Sequence, residues 1–146
     1  MIDVVDFEHK LKKWAQGQLD ILAIGLVGSY ARNTATENSD FDVMILVEEP
    51  SKYLLNNNWL NSFGKVERII EEDWGAVKTH RVFYDNSAEI EFNIAHKSWA
   101  KTNPIDEGTI RPVSDGMKII YDPEKILFKL MRAVKVRKEK DCRNEL

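Results

Sequence analysis

The sequence predicts a mixed α/β fold (α+β), with a small mixed β-sheet flanked by helices. Short apolar runs rich in β-branched residues recur between polar turns, near 21–27, 41–47, 66–70, 77–84 and 89–95. Apolar residues at helical spacing are confined to three other stretches, near 3–16, 51–62 and 123–138. At 146 residues the chain is expected to form one domain, with a core near 20–122 and a C-terminal helix near 123–138. That length buries a core without metal or disulfide staples.

The elements follow in order. Val4, Val5, Phe7, Leu11 and Trp14, separated by Lys10, Lys12 and Lys13, predict an amphipathic first helix packed on the sheet. Ile21 to Val27 reads as a buried strand that stops at Gly28-Ser29, followed by a short helix over Tyr30–Ala35 and a polar loop at 36–39. Phe41 to Val47 is a second buried strand, closed by Glu48-Glu49-Pro50. Residues 51–62 read as a helix with Tyr53, Leu54, Leu55, Trp59 and Leu60 on its apolar face, ended by Gly64. Val66–Ile70, Val77–Tyr84 and Glu89–Ala95 are three more strands. Asp85-Asn86-Ser87 turns the last two into a hairpin. Pro104, Gly108 and Pro112 predict a loop over 101–115, and Met117–Tyr121 a short strand. Asp122-Pro123 then opens the last helix, whose stripe is Ile126, Leu127, Leu130, Met131 and Val134, and 135–146 is expected to fray into solvent.

Composition excludes several classes of function. A hydrophobic share of 43% with 31% charged residues is that of a globular chain, and the net charge of −3 gives no general attraction to nucleic acid. Cys142 is the one cysteine, which excludes an intrachain disulfide and a thiolate zinc site and points to the cytoplasm. Residues 1–20 lack the apolar run of a signal peptide, and the longest apolar stretches, such as 43–47, fall far short of a membrane span.

The chemistry concentrates in Gly28-Ser29-Tyr30-Ala31-Arg32 and in Asp40-Phe41-Asp42, with ten residues between Ser29 and Asp40. On a strand Asp40 and Asp42 share a face while Phe41, Val43 and Ile45 take the other. Two such carboxylates repel and lose hydration, and a divalent cation relieves both costs; a solvated pair at a strand's start is the plainer alternative. Gly28 lets the backbone approach a phosphate, Ser29 adds a hydroxyl donor, and Arg32 a charged one. A helix opening at Tyr30 would aim its free amides at the same spot. A Gly-Ser pair alone is usually only a turn. In Glu89-Ile90-Glu91-Phe92-Asn93-Ile94 the polar residues alternate with apolar ones, so Glu89 and Glu91 either face water or face the aspartates from a neighbouring strand.

Taken together, Gly28, Ser29, Asp40, Asp42 and Glu91 resemble the signature of the DNA polymerase beta-like nucleotidyltransferase superfamily: a strand ending in Gly-Ser, a short helix, Asp-x-Asp on the next strand and a third carboxylate later. Within it, Trp59, Phe63-Gly64, Arg81-Val82-Phe83-Tyr84-Asp85, Glu89-Ile90-Glu91-Phe92, Asp115-Gly116 and Ile120-Tyr121-Asp122 look most like the aminoglycoside nucleotidyltransferases, over roughly residues 20–130. The resemblance implies a nucleotidyltransferase fold. It also implies transfer of a nucleoside monophosphate from a nucleoside triphosphate, ATP first among them, to an acceptor hydroxyl. Two Mg²⁺ ions would be held by Asp40, Asp42 and Glu91, with Gly28, Ser29 and Arg32 on the triphosphate.

Two departures stand out. The third carboxylate of such enzymes is most often aspartate; here it is Glu91, with Glu89 a competitor. Many relatives also continue into a helical domain that holds the acceptor. This sequence would therefore borrow a helical partner or a second copy of itself, or be a shortened form. The expected acceptor is a small molecule, not nucleic acid or a membrane component. The alternatives are a minimal enzyme that modifies a partner protein and a non-catalytic nucleotide-binding module. His9, His80 and His96 lack metal-ligand spacing, and the cluster Lys135, Arg137, Lys138 and Lys140 reads as a solvated helix end. Among Trp14, Trp59, Trp74 and Trp99, one is available for base stacking while three are expected in packing.

Overall fold

A computed structural model describes residues 3–36 and 40–144. The order is α1 (Val4–Gln16), β1 (Ile21–Val27), β2 (Phe41–Val47), α2 (Ser51–Leu54), β3 (Val66–Asp73), β4 (Val77–Tyr84), β5 (Glu89–His96), α3 (Glu107–Ser114), β6 (Lys118–Tyr121) and α4 (Ile126–Asn144). The strands form one sheet in the order β3-β4-β5-β2-β1-β6. β5 and β2 run parallel, and the other neighbouring pairs run antiparallel. This is the mixed sheet flanked by helices that the sequence predicts.

Alternation along the central strands sorts side chains into two cores. Phe41, Val43 and Ile45 of β2 join Phe92 of β5 under Phe7, Leu11 and Ala15 of α1. An aromatic cluster extends this layer, with Trp14 stacked on Trp59 at 5.2 Å and edge-on to Tyr53. Met44 and Leu46 point the other way, to Trp99 and to Leu127, Leu130 and Val134 of α4. Helices α3 and α4 cover only part of this second face. The part left open carries Asp42, Glu91 and Asn93.

Element boundaries differ from expectation in several places. The helix expected over 51–62 is two pieces, α2 and a 3₁₀ turn over Asn58–Phe63, and Leu55 between them is exposed. Asn56 causes the break: its side-chain carbonyl accepts the Asn58 amide and closes a local turn that competes with the helix. The expected loop at 101–115 contains α3, with Pro112 inside it and Asp106 as a cap accepting the Gly108 amide at 2.9 Å. Helix α4 begins at Ile126 rather than Pro123, although Asp122 still caps it through the amides of Leu127 and Phe128. It then continues through Asn144 instead of fraying after 134. Strand β3 runs on to Asp73, three residues past its expected end. Among the described residues no helix is long and apolar enough to cross a membrane.

Candidate active site

The parallel pairing of β2 with β5 sets the site. Its register places Asp42 directly beside Glu91, and Met44 beside Asn93. Asn93 donates its side-chain amide both to Asp42 Oδ1 and to the carbonyl of Val43, the latter at 3.0 Å. Its own Oδ1 accepts from Thr79 Oγ1 of β4 at 2.6 Å. A three-strand polar relay therefore fixes one oxygen of Asp42. Thr79 and Asn93 were given no role by sequence reasoning; the signal for Asn93 was its place after Glu89 and Glu91 on the polar face of β5.

Asp40, Glu89 and Glu91 form the tightest group: one carboxylate oxygen from each lies within 4.8 Å of the others. Asp42 stands beside this group rather than inside it. Burial comes first among the causes that raise the Glu91 carboxyl to about 8, followed by its hydrogen bond with Asp40 and the charges of Asp42 and Asp40. Burial also raises Asp42, against the Asn93 hydrogen bond and with the Asp40 charge adding to it. The counter-charge is Arg81 of β4, which sits 2.6 Å from Glu91, 3.3 Å from Glu72 and 3.7 Å from Glu89. Arg81 was noted in sequence only as part of a resemblance, without a role.

The Gly28 turn lies against Asp42. Gly28 has φ +76, which L side chains rarely adopt, and a Cβ there would stand 3.4 Å from Asp42 Oδ2. The helix expected over Tyr30–Ala35 is absent. Arg32, Asn33 and Thr34 close tight turns onto the carbonyls of Gly28, Tyr30 and Ser29, and Asn33 takes φ 60. Six residues in tight turns cannot propagate a helix whose nucleus is costly. Among the described residues, the backbone amides of Ser29, Tyr30 and Ala31 have no protein acceptor, which leaves them open to a ligand. Tyr30 stacks on Phe41 at 4.0 Å and ties the turn to β2. Of the expected polar loop only Thr36 is described; residues 37–39 lie outside the described residues.

A cavity of about 330 Å³ opens between these parts, lined by Gly28, Arg32, Asp42, Asn93 and Trp74 together with α3 residues. Ser29 lies on the same turn but outside that lining, as do Asp40, Glu89 and Glu91. Arg32 lies over Gly116, whose φ is +125; a Cβ there would come within 3.0 Å of Arg32 Cγ. The Asp115-Gly116 pair thus clears space for the arginine. A larger groove of about 760 Å³, between α2 and the β3–β4 hairpin, holds none of the expected site residues.

The donor set fits a hard divalent cation. Its members are all carboxylate oxygens, crowded enough to hold a proton above its ordinary range, and next to a turn with free amides. Zinc-type nitrogen or sulfur ligands are absent from this cluster.

A Gly-Ser turn set against carboxylates on the open face of such a sheet defines the nucleotidyltransferase class. Residues 8–101, more than half of the chain, match the family described as nucleotidyltransferase domain, and the chain belongs to that family. A putative protein adenylyltransferase from Methanocaldococcus jannaschii is 36% identical over 52 residues, which cover 36% of this chain and 53% of that protein. The chain thus matches about half the length of this curated relative. An aminoglycoside 6-adenyltransferase from Bacillus subtilis superposes with a TM-score of 0.57 at 14% identity, over 70% of this chain and 38% of that one. At that identity the likeness is one of fold.

Proposed function

We propose that the chain transfers a nucleoside monophosphate, AMP by preference, from a nucleoside triphosphate to an acceptor hydroxyl. The observation that carries this reading is the side-by-side register of Asp42 and Glu91, with Asp40 bonded to Glu91 and the Gly28 turn opposite. Asp40 and Asp42 are assigned to two Mg²⁺ ions and Glu91 to the ion nearest the acceptor. Glu89 is the competing third carboxylate, since it joins the same oxygen group. When bound, such ions stabilise charge on the attacking and leaving oxygens of an in-line displacement. Gly28, Ser29 and Arg32 hold the β- and γ-phosphates through free amides, a hydroxyl and a guanidinium. Asn93 and Thr79 keep Asp42 in place. The acceptor oxygen bonds to the α-phosphorus as the bond to pyrophosphate breaks.

The chain acts as one catalytic domain working in the cytoplasm. A small aminoglycoside-like acceptor is the first reading, supported by the runs around Phe63-Gly64 and Arg81–Asp85. A protein acceptor is the second, favoured by the name of the archaeal relative. Incubation with Mg²⁺ and labelled ATP, against aminoglycosides and against cell protein, tests both. A monophosphate adduct on the small molecule supports the first, and label on protein alone supports the second. No pyrophosphate release with either acceptor class contradicts the enzyme reading.

A further inference from the structure

Trp74 is the tryptophan that the fold does not use. Trp14 and Trp59 stack on each other in the core, and Trp99 is 7% exposed. Trp74 is 68% exposed, and its ring pairs with no other aromatic ring among the described residues. A side chain of this size left in water forgoes a large apolar burial, which marks contact surfaces more often than packing.

Its position is fixed by the backbone. Trp74 sits at the tip of the β3–β4 hairpin, where its amide donates to the Val77 carbonyl at 2.9 Å. Asp73 Oδ1 accepts the Gly75 amide at 2.9 Å, and Gly75 takes φ +85. The tip is therefore a closed turn whose backbone is fixed before any ligand binds.

Trp74 and Val77 line the same cavity as Gly28, Arg32 and Asp42. At about 330 Å³ this cavity is at the small end for small-molecule sites, ~300–1,000 Å³. Gly28 and Arg32, the residues assigned to the triphosphate, and the indole thus border one cavity. Every nucleobase has a flat π-face, so an exposed indole suits it.

We infer that Trp74 is the base-stacking platform of the nucleotide site, an assignment that rests on the nucleotidyl-transfer reading above. Purines, with the larger face, are preferred over pyrimidines on this platform.

The test is calorimetric titration of the full chain with Mg²⁺·ATP, Mg²⁺·CTP and inorganic tripolyphosphate, using wild type, Trp74→Ala and Trp74→Phe. Because Trp74 is an exposed turn residue, melting temperatures should agree, and they are measured first. Trp74→Ala should weaken ATP roughly tenfold or more, leave tripolyphosphate unchanged and narrow the ATP–CTP difference; Trp74→Phe should restore most of the loss. ATP bound equally well by Trp74→Ala overturns the inference. So does an equal loss of ATP and tripolyphosphate, which would mean damage to the phosphate end. Wild type that binds neither ATP nor tripolyphosphate would remove the nucleotidyl-transfer reading itself, and the base platform with it.

Discussion

The Arg81 guanidinium lies 2.6 Å from Glu91 Oε1, so the protein's own cation stands against the carboxyl group assigned to metal. Arg81 is shared with Glu72 and Glu89 and leaves its Nε buried without a good partner. A divalent ion binding Glu91 must compete with this pair. Arg81→Gln should therefore raise Mn²⁺ affinity roughly two- to fivefold, the range expected for a partly exposed ion pair, while lowering the melting temperature of the metal-free protein. Mn²⁺ titration followed by electron paramagnetic resonance gives the affinity. A weaker affinity in the variant would mean that Arg81 supports the metal site instead of competing for it.

Asn93 acts on Asp42 from behind. Asn93→Ala removes the donor to Asp42 Oδ1 and the acceptor of Thr79 Oγ1. Groups that orient a metal ligand typically change activity ~10–100-fold, and transfer should fall by about that much. Stability should drop by about 1–2 kcal/mol for the unpaired Thr79 and Val43 groups. Single-turnover rates and chemical denaturation check the two parts separately. Asn93→Asp should be worse in rate, because it adds a carboxylate beside Asp42.

Proton linkage gives a further check. Glu91 is raised from 4.5 to about 8, so the folded metal-free protein holds this proton at neutral pH. Stability from that proton is fully present below 4.5 and is lost as pH rises through about 8. Metal ligands must be deprotonated, so Mg²⁺ binding at about pH 7 should expel nearly one proton, and at about pH 9 almost none. Calorimetry in two buffers of different ionisation heat measures this release. Its absence at neutral pH would mean that Glu91 stays protonated or lies outside the metal set.

Much of this arrangement was legible because its elements depend on local pattern. β1 and β2 run over the residues that their apolar, β-branched runs indicate, since buried strands leave little room for other residue types, and β4 matches its expected span through its alternation. Asp42 stood out as a carboxylate within an apolar strand, and Glu89 and Glu91 as carboxylates on the polar face of an alternating one. What the sequence concealed was set by neighbours in space. Arg81 and Thr79 look like ordinary residues of an alternating strand until β4 is placed against β5. Helix α3 was hidden because Gly108 and Pro112 normally break helices, yet Pro112 forfeits only one bond in an eight-residue helix capped by Asp106. The Tyr30–Ala35 segment erred the other way: its residues tolerate a helix, but tertiary stacking of Tyr30 on Phe41 holds a turn.

The central claim is that carboxylates from β2 and β5 act together on one nucleotide. It is tested most directly by Mg²⁺-dependent nucleotidyl transfer in Asp42→Asn, Glu91→Gln and Glu89→Gln, each paired with its melting temperature. Asp42→Asn and Glu91→Gln should each lose at least about a hundredfold in rate, with melting temperatures equal to or above wild type because carboxylate repulsion is relieved; Glu89→Gln should retain most activity. An active Glu91→Gln beside an inactive Glu89→Gln would move the third ligand to Glu89, and full activity in Asp42→Asn would contradict the site altogether.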